Sequence, residues 1–451
     1  MIGTILKPEL EDLIERREFT RLREVLCEFR AAEIAEILVD LGATERAVLL
    51  RILPAQLAAD VFEYLSHEDQ EELLRSLGDE AVIRLLNEME PDDRTAILEE
   101  LPASMTQKIL ALLSPEERKT AVSLLGYPED SIGRWMTPEY IAIQEEWTVA
   151  EVLSHLRKMG RERETLHNLF VVDANQKLVG VLSLRSLVTA ELASPVKDLV
   201  ERQFIALKDT DDQETAVATF KKYDRTSLPV VNSNGVLVGL VTVDDVLDLA
   251  EEETTEDIHK AGGVTPLTTS FLKTRFRVLY GRRVSWLVLL VFINIFSGAG
   301  IAYFEELIAS VVALVFFLPL LIDCGGNSGS QAATLVIRSL ALGEIKIADY
   351  LRVLWREIAV ALALGLTMAG AVFLLAWWRA GIPVALAVSI SMVIIVFIGS
   401  LTGMSLPFVL HKLKMDPAAA SAPLVTSLAD ISGVLIYLSI ARALLGVLAP
   451  T

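Results

Sequence analysis

Residues 319–331 read Pro-Leu-Leu-Ile-Asp-Cys-Gly-Gly-Asn-Ser-Gly-Ser-Gln, a polar, glycine-rich run inside an otherwise apolar stretch, 308–337. A hydrocarbon core of about 30 Å takes about 20 helical residues. Four further stretches, 285–304, 357–378, 383–410 and 423–447, reach that length, so the second half of the chain reads as five membrane spans. Irregular backbone at that depth is tolerated only where it is buried or lines a wet cavity. Pro319 and the Gly325-Gly326 pair therefore predict a loosened helix with freed carbonyls, followed by Asn327, Gln331 and Thr334 on one face. Close helix packing through small residues is the alternative.

Working outward, the last span carries Thr426-Ser-Leu-Ala-Asp430-Ile-Ser-Gly433. A carboxylate in a span is costly and marks a functional position. Helical spacing puts Thr426, Asp430, Gly433 and Tyr437 on one face. No basic residue falls in the central part of any span, so a cation from water is the natural partner for Asp430; a protonated Asp bonded to a neighbouring helix is the other reading. Asn294 is a lone amide suited to an interhelical bond.

The 451 residues are 52% hydrophobic with a formal charge of -19. Up to Lys260 there are 52 acids and 28 bases; beyond it, 8 acids and 13 bases. An acidic first half argues against nucleic acid and for cations as partners. Two cysteines, Cys27 and Cys324, imply no disulfide framework and fit a reducing compartment. The opening MIGTILKPELEDLIERREF has no continuous apolar core, so the first half is expected in the cytoplasm. Arg338, Lys346, Arg352, Arg356, Lys412 and Lys414 lie on one side of the spans, against Arg379, Glu305 and Glu306 on the other. The positive-inside rule then places the N-terminus inside and the C-terminus outside.

Between about 40 and 126 a 24-residue period emerges: Leu53-Pro54, Leu77-Gly78, Leu101-Pro102 and Leu125-Gly126, each after an acid-capped apolar stripe. Stacked helix pairs are the reading, with an irregular helical bundle as the alternative. From Tyr127 the texture changes to strand, turn, strand and helix, twice. The paired LFVVD…LVGVLSLRSL and LPVVN…LVGLVTVDDVL resemble two tandem CBS (cystathionine-β-synthase-type) domains, a module that commonly binds adenine nucleotides. By that resemblance Gly239, Thr242 and Asp245 are nucleotide-binding, with ATP or another adenine nucleotide as cofactor; the first copy has Ser186 where the Asp would stand. Ala250–Lys260 is expected to run on as one charged connecting helix through Lys273, Arg275 and Arg277 to Arg283.

The P-x5-GGNxGxQ run, Asp416-Pro417 and PLVTSLADISG, together with this domain order, resemble the MgtE family of magnesium channels and transporters. The implied fold is multidomain: an all-α superhelical N-terminal domain (1–128), an α/β tandem CBS pair (129–253), a connecting (plug) helix (254–284) and a five-helix transmembrane domain (285–451). The resemblance implies a homodimer in the bacterial inner membrane, embedded in membrane lipid, with its pore on the two-fold axis. Asp430 would hold hydrated magnesium, which keeps its waters and needs only one or two carboxylates. Asn327, Gly325, Gly326, Gln331, Thr426, Ala429 and Gly433 would line the pore, with Asp416 as a lower ring. By family pattern, Asp92, Asp93, Asp224, Asp245, Glu253, Glu256 and Asp257 would bind internal magnesium, Mg2+, compacting the acidic domains and closing the path. Many such acids are otherwise solvated helix faces or caps. No GxxxxGK[ST] loop is present, which argues against an ATP-driven pump. Two other classes stay open: a metal sensor without conduction, and a membrane aspartyl enzyme built on Asp323 and Asp430.

Overall fold

The computed structural model describes residues 2–160, 163–267, 271 and 274–446, in two units divided between Glu251 and Glu252.

The first unit opens with short helices: α1 (Ile2–Glu15), α2 (Phe19–Leu26), α3 (Ala31–Val39), α4 (Ala43–Ile52), α5 (Ala55–Glu63), α6 (His67–Ser76), α7 (Asp79–Glu88), α8 (Pro91–Glu100), α9 (Ala103–Leu112) and α10 (Pro115–Leu124). The period shows in the turns. Leu53, Leu77 and Leu101 leave the helical region as buried cap residues, and Pro54, Gly78 and Pro102 start the next helix. Helices α3, α5, α7 and α9 then stack in one row and α4, α6, α8 and α10 in the other, a solenoid. A polar residue recurs at the same register in three repeats. Arg46 donates to the Leu41 carbonyl, Gln70 to Phe62 and Arg94 to Leu86, each at 2.9 Å. Arg46 also pairs with Asp69 of the next repeat at 2.7 Å, and the fully buried Arg94 pairs with Glu117.

The rest of this unit is two copies of one small sheet. After the short α11 (Ile132–Trp135), strands β1 (Ala142–Ile143), β2 (Asn168–Val172) and β3 (Leu178–Ser183) form the first, with helices α12 (Val149–Met159) and α13 (Leu184–Thr189). The second copy holds β4 (Leu207–Lys208), α14 (Gln213–Tyr223), β5 (Ser227–Val231) and β6 (Leu237–Thr242), and leads into α15 (Val243–Ala261). In each sheet the first strand is parallel and the third antiparallel to the middle one.

The second unit contains α16 (Phe276–Tyr303), the short α17 (Glu305–Ser310), α18 (Ala313–Ala341), α19 (Tyr350–Lys412) and α20 (Ala422–Leu445). Four of these are long and apolar enough to cross a membrane. At 1.5 Å per residue the 63 residues of α19 span about 95 Å, three bilayer cores; Gly381, at φ 82° and ψ 173°, breaks it in two, giving five apolar helical stretches. Val291, Phe292 and Phe296 on α16 are each about 60% exposed or more, a surface that suits lipid and not water.

Two expectations are corrected here. The stretch 254–284 is not one helix. Gly263 takes the left-handed conformation (φ 69°), its N–H bonds the Lys260 carbonyl, and Val264 N–H reaches back to His259, both at 2.9 Å, the double bond that stops a helix at glycine. The chain therefore leaves α15 after Ala261 and resumes as α16 at Phe276; Lys273 lies outside the described residues. Nor do the glycines loosen α18, which runs unbroken through Pro319, Gly325 and Gly326. A Cβ on Gly403 would fall on the Gly329 carbonyl oxygen, and one on Gly399 on that of Gly325. Gly325 and Gly329 thus face Gly399 and Gly403 across a seam where only glycine fits, sealed by a 2.6 Å bond between the buried Ser328 and Ser400 hydroxyls.

Candidate metal-binding and permeation sites

Three groups of polar side chains stand out, two outside the apolar helices and one among them.

In the first unit, the acid-rich start of α8 meets the start of α15. Carboxylate oxygens of Glu90, Asp92 and Glu164 lie within 4.8 Å of one another. Asp92 is buried, and neither of its oxygens has a hydrogen-bond partner among the described residues. Burial, then the charges of Asp245 and Glu164, pushes the Asp92 carboxyl well above the usual range. Burial likewise holds Glu164 up at about 8, Asp93 at about 7, with Asp245 the next cause in both, and Asp245 itself at about 6. Glu63 stands at about 9 through burial and the charge of Asp93. Acids forced together without a cation take up protons or a metal ion, so this group is a candidate divalent-cation site. Asp92, Asp93 and Asp245 were expected from the sequence; Glu63, Glu90 and Glu164 were not. The Glu90-Pro91-Asp92-Asp93 run carried a local signal for Glu90, whereas Glu164 and Glu63 join only through the tertiary fold. Asp224 is an exposed left-handed cap of α14 at φ 48°, outside this group.

The three residues expected to hold a nucleotide, Gly239, Thr242 and Asp245, lie at the end of β6 and the start of α15. Thr242 Oγ1 donates to Asp245 at 2.5 Å, and its backbone N–H bonds the same oxygen at 3.3 Å, capping α15. A Cβ at Gly239 would meet Met136 Sδ and Cγ and the Thr137 carbonyl at 2.8–2.9 Å. This corner is packed and acidic, hostile to phosphate. The opposite cleft between the two sheets is lined by Ser183, Ser186, Phe204, Arg225 and Ser227 among others, and it offers a cation.

In the second unit, Asp416 caps the turn before α20, accepting from Ala418 N–H at 2.8 Å. Lys260 Nζ reaches Asp416 at 2.6 Å and also contacts Glu256. Burial, then the neighbouring Asp416 charge, raises the Asp257 carboxyl. Glu256, Asp257 and Asp416, expected separately as sensor acids and as a lower ring of the pore, come together around the Lys260 ammonium, which sequence reasoning missed, with Glu253 one turn earlier on α15.

Among the apolar helices, Asp430 on α20 is half-buried, and Asp323, Asn327, Gln331 and Thr334 form an exposed stripe along α18. Asn327 Nδ2 donates to Asp323 at 3.0 Å. Among the described residues of this unit, the ion pairs engage Lys260 and not Asp323 or Asp430. Thr426 is half-buried and bonds the Ala422 carbonyl at 2.9 Å. Other expected lining residues turn inward within the protomer. Ala429 is 1% exposed, Gly433 packs against Ile322 and Ile395, and Gly325 and Gly326 press on Ile395 and Thr426; Tyr437, expected on the Asp430 face, is buried and donates to the Leu314 carbonyl at 3.1 Å. Ala429, one residue before Asp430, lies a 100° step around α20 from it.

Comparison with known proteins agrees with this layout. Residues 318–440 match the family model of the MgtE divalent cation transporter, 29–130 that of the MgtE intracellular N domain, and 132–193 and 196–252 that of the CBS domain. The chain is 40% identical to the magnesium transporter MgtE of Thermus thermophilus over 98% of both chains, and 35% identical to that of Bacillus subtilis over 93% of both. Among solved structures, the cytosolic domain of the Mg2+ channel MgtE in complex with ATP is 38% identical, covers 53% of this chain and 98% of its own, and superposes with a TM-score of 0.51. The soluble part of a magnesium transporter gives 28% identity and a TM-score of 0.53 over 56% of this chain.

Proposed function

Since the chain belongs to the MgtE family of magnesium transporters, we propose that it carries magnesium across the bacterial inner membrane as a homodimer and senses magnesium with its acidic N-terminal half. The observation that carries this reading is Asp430, half-buried among apolar helices, without an ion-pair partner among the described residues and beside the exposed polar stripe of α18. A hydrated divalent ion held by Asp430 of each protomer removes the repulsion between two carboxylates at short range. Relatives at this identity are named magnesium transporters, which favours an ion-handling role for Asp430 over the alternative of a catalytic dyad. The orientation follows the basic connections, with the N-terminus inside and the C-terminus outside.

Gating rests on the two cytoplasmic acid groups. With internal magnesium plentiful, ions at Glu90, Asp92, Glu164 and Asp245 replace protons and hold the solenoid against the second sheet. At Asp416 a divalent ion competes with the Lys260 ammonium for the same carboxylates. With magnesium scarce, the acids repel and the closed state loses its ties. An adenine nucleotide fits the Arg225 cleft, where a guanidinium faces phosphate.

The test is magnesium entry into proteoliposomes carrying an indicator dye. Wild type conducts at low internal magnesium and is suppressed by internal magnesium, and Asp430→Ala abolishes entry. A wild type that never conducts returns the protein to the sensor class; an Asp430→Ala variant with unchanged flux removes Asp430 from the path.

A further inference from the structure

The packing that places Asp430 also fixes the height of a second carboxylate. A Cβ on Gly433 would stand 3.8 Å from Ile322 Cα, and one on Gly326 would stand 2.9 Å from Thr426 Cγ2. Further along, the Ser330 hydroxyl lies 3.4 Å from Thr426 Oγ1 and from the Ala422 carbonyl. Helices α18 and α20 therefore run antiparallel, with 322 beside 433 and 326 beside 426. Asp323 and Asp430 both fall inside that interval, at one level of the helix pair.

A second, independent observation concerns the face on which Asp323 sits. Asp323, Asn327, Gln331 and Thr334 are all exposed, a polar stripe about 17 Å long at 1.5 Å per residue. The opposite face, with Gly325, Gly329, Ala332 and Ala333, is buried. Hydrocarbon does not solvate a carboxylate, two amides and a hydroxyl in a row, so this stripe faces water or a second copy of the chain across water. Asn327 spends one donor on Asp323 at 3.0 Å, which fixes that carboxylate in the stripe and leaves its other oxygen for the lumen.

We propose that Asp323 is a second carboxylate of the cation path, which sets with Asp430 how tightly and how selectively the path holds a divalent ion. The inference rests on the transport reading above and deepens it: each protomer supplies two carboxylates at one level, and Asn327 orients the first. A path with this charge holds a divalent ion and its water shell against monovalent cations, because attraction scales with the product of charges.

The experiment uses the full chain in proteoliposomes, with wild type, Asp323→Asn, Asp323→Glu and Asp430→Ala at matched protein content and matched thermal unfolding midpoint. Asp323→Asn raises the half-saturating external magnesium on the order of tenfold, as expected for losing one of two nearby charges, and admits sodium, while Asp323→Glu recovers towards wild type. Unchanged half-saturation and unchanged sodium exclusion in Asp323→Asn, with Asp430→Ala inactive, overturn this inference alone. A wild type that never conducts overturns the transport reading instead, and full flux in Asp430→Ala removes Asp430 from the path and with it the pairing of Asp323 and Asp430. If Asp323→Asn fails to fold, Asp323→Ser and the Asp323→Glu selectivity carry the same comparison.

Discussion

Replacing Asp92 by Asn removes one acid from the Glu90, Asp92 and Glu164 group while keeping its shape, and the structure sets the size and sign of the effect. Raising the Glu164 carboxyl from 4.5 to about 8 costs on the order of 3 kcal/mol at pH 7 relative to an unfolded chain. Because these folded carboxyls sit above their unfolded values, the native unit binds more protons than the unfolded one. Metal-free stability is therefore fullest below about pH 4.5 and falls as the pH rises through the folded value near 8. A divalent ion displaces the same protons, so magnesium stabilises more strongly at high pH; a tenfold excess over its dissociation constant contributes about 1.4 kcal/mol. The assay is thermal unfolding of the purified full chain from about pH 6 to about pH 8, in chelator or in saturating magnesium. Wild type in chelator loses stability across that range and regains it with magnesium. Asp92→Asn unfolds several degrees higher in chelator near pH 8, since about 1 kcal/mol moves the midpoint of a domain of this size by roughly 2–4 °C, and it gains less from magnesium. A flat metal-free profile, or an Asp92→Asn variant that gains as much from magnesium as wild type, refutes the reasoning.

Two further outcomes follow from the packing. Arg225→Glu places a carboxylate in the cleft that faces nucleotide phosphate, so titration calorimetry with ATP shows affinity reduced by about tenfold or more, while Asp245→Asn leaves it within about threefold; the opposite ranking restores the Asp245 corner as the nucleotide site. Gly403→Ala drives a methyl into the Gly329 carbonyl, so detergent-solubilised protein unfolds at lower temperature by about 1–3 kcal/mol, whereas Gly370→Ala, with nothing near its Cβ, leaves the midpoint unchanged.

The spans were readable because apolar length is a one-dimensional property, and the break at Gly381 fell between the two expected stretches. The solenoid was readable for a similar reason: Leu-Pro and Leu-Gly recur in sequence as the turns recur in space. Gly325 and Gly326 were misread because a glycine pair is consistent with both loosening and close approach. The deciding signal lay 70 residues away, in Gly399 and Gly403, spaced four apart like Gly325 and Gly329; a matched pair of such motifs means a seam. The Gly262-Gly263 stop was written in the sequence and outweighed by the charge pattern that continued past it. Glu164 and Lys260 had no local signal, since each matters only for what tertiary packing sets beside it.

Those two residues make opposite electrostatic solutions visible at the two ends of α15. Near its start, Asp245 lies beside Glu90, the buried Asp92 and Glu164, acids whose carboxyls burial raises. Near its end, Glu256 and Asp416 share Lys260, a cation fixed to the chain. On the gating proposed above, the first group would answer magnesium by losing protons and so would depend on pH, whereas the second would exchange one cation for another.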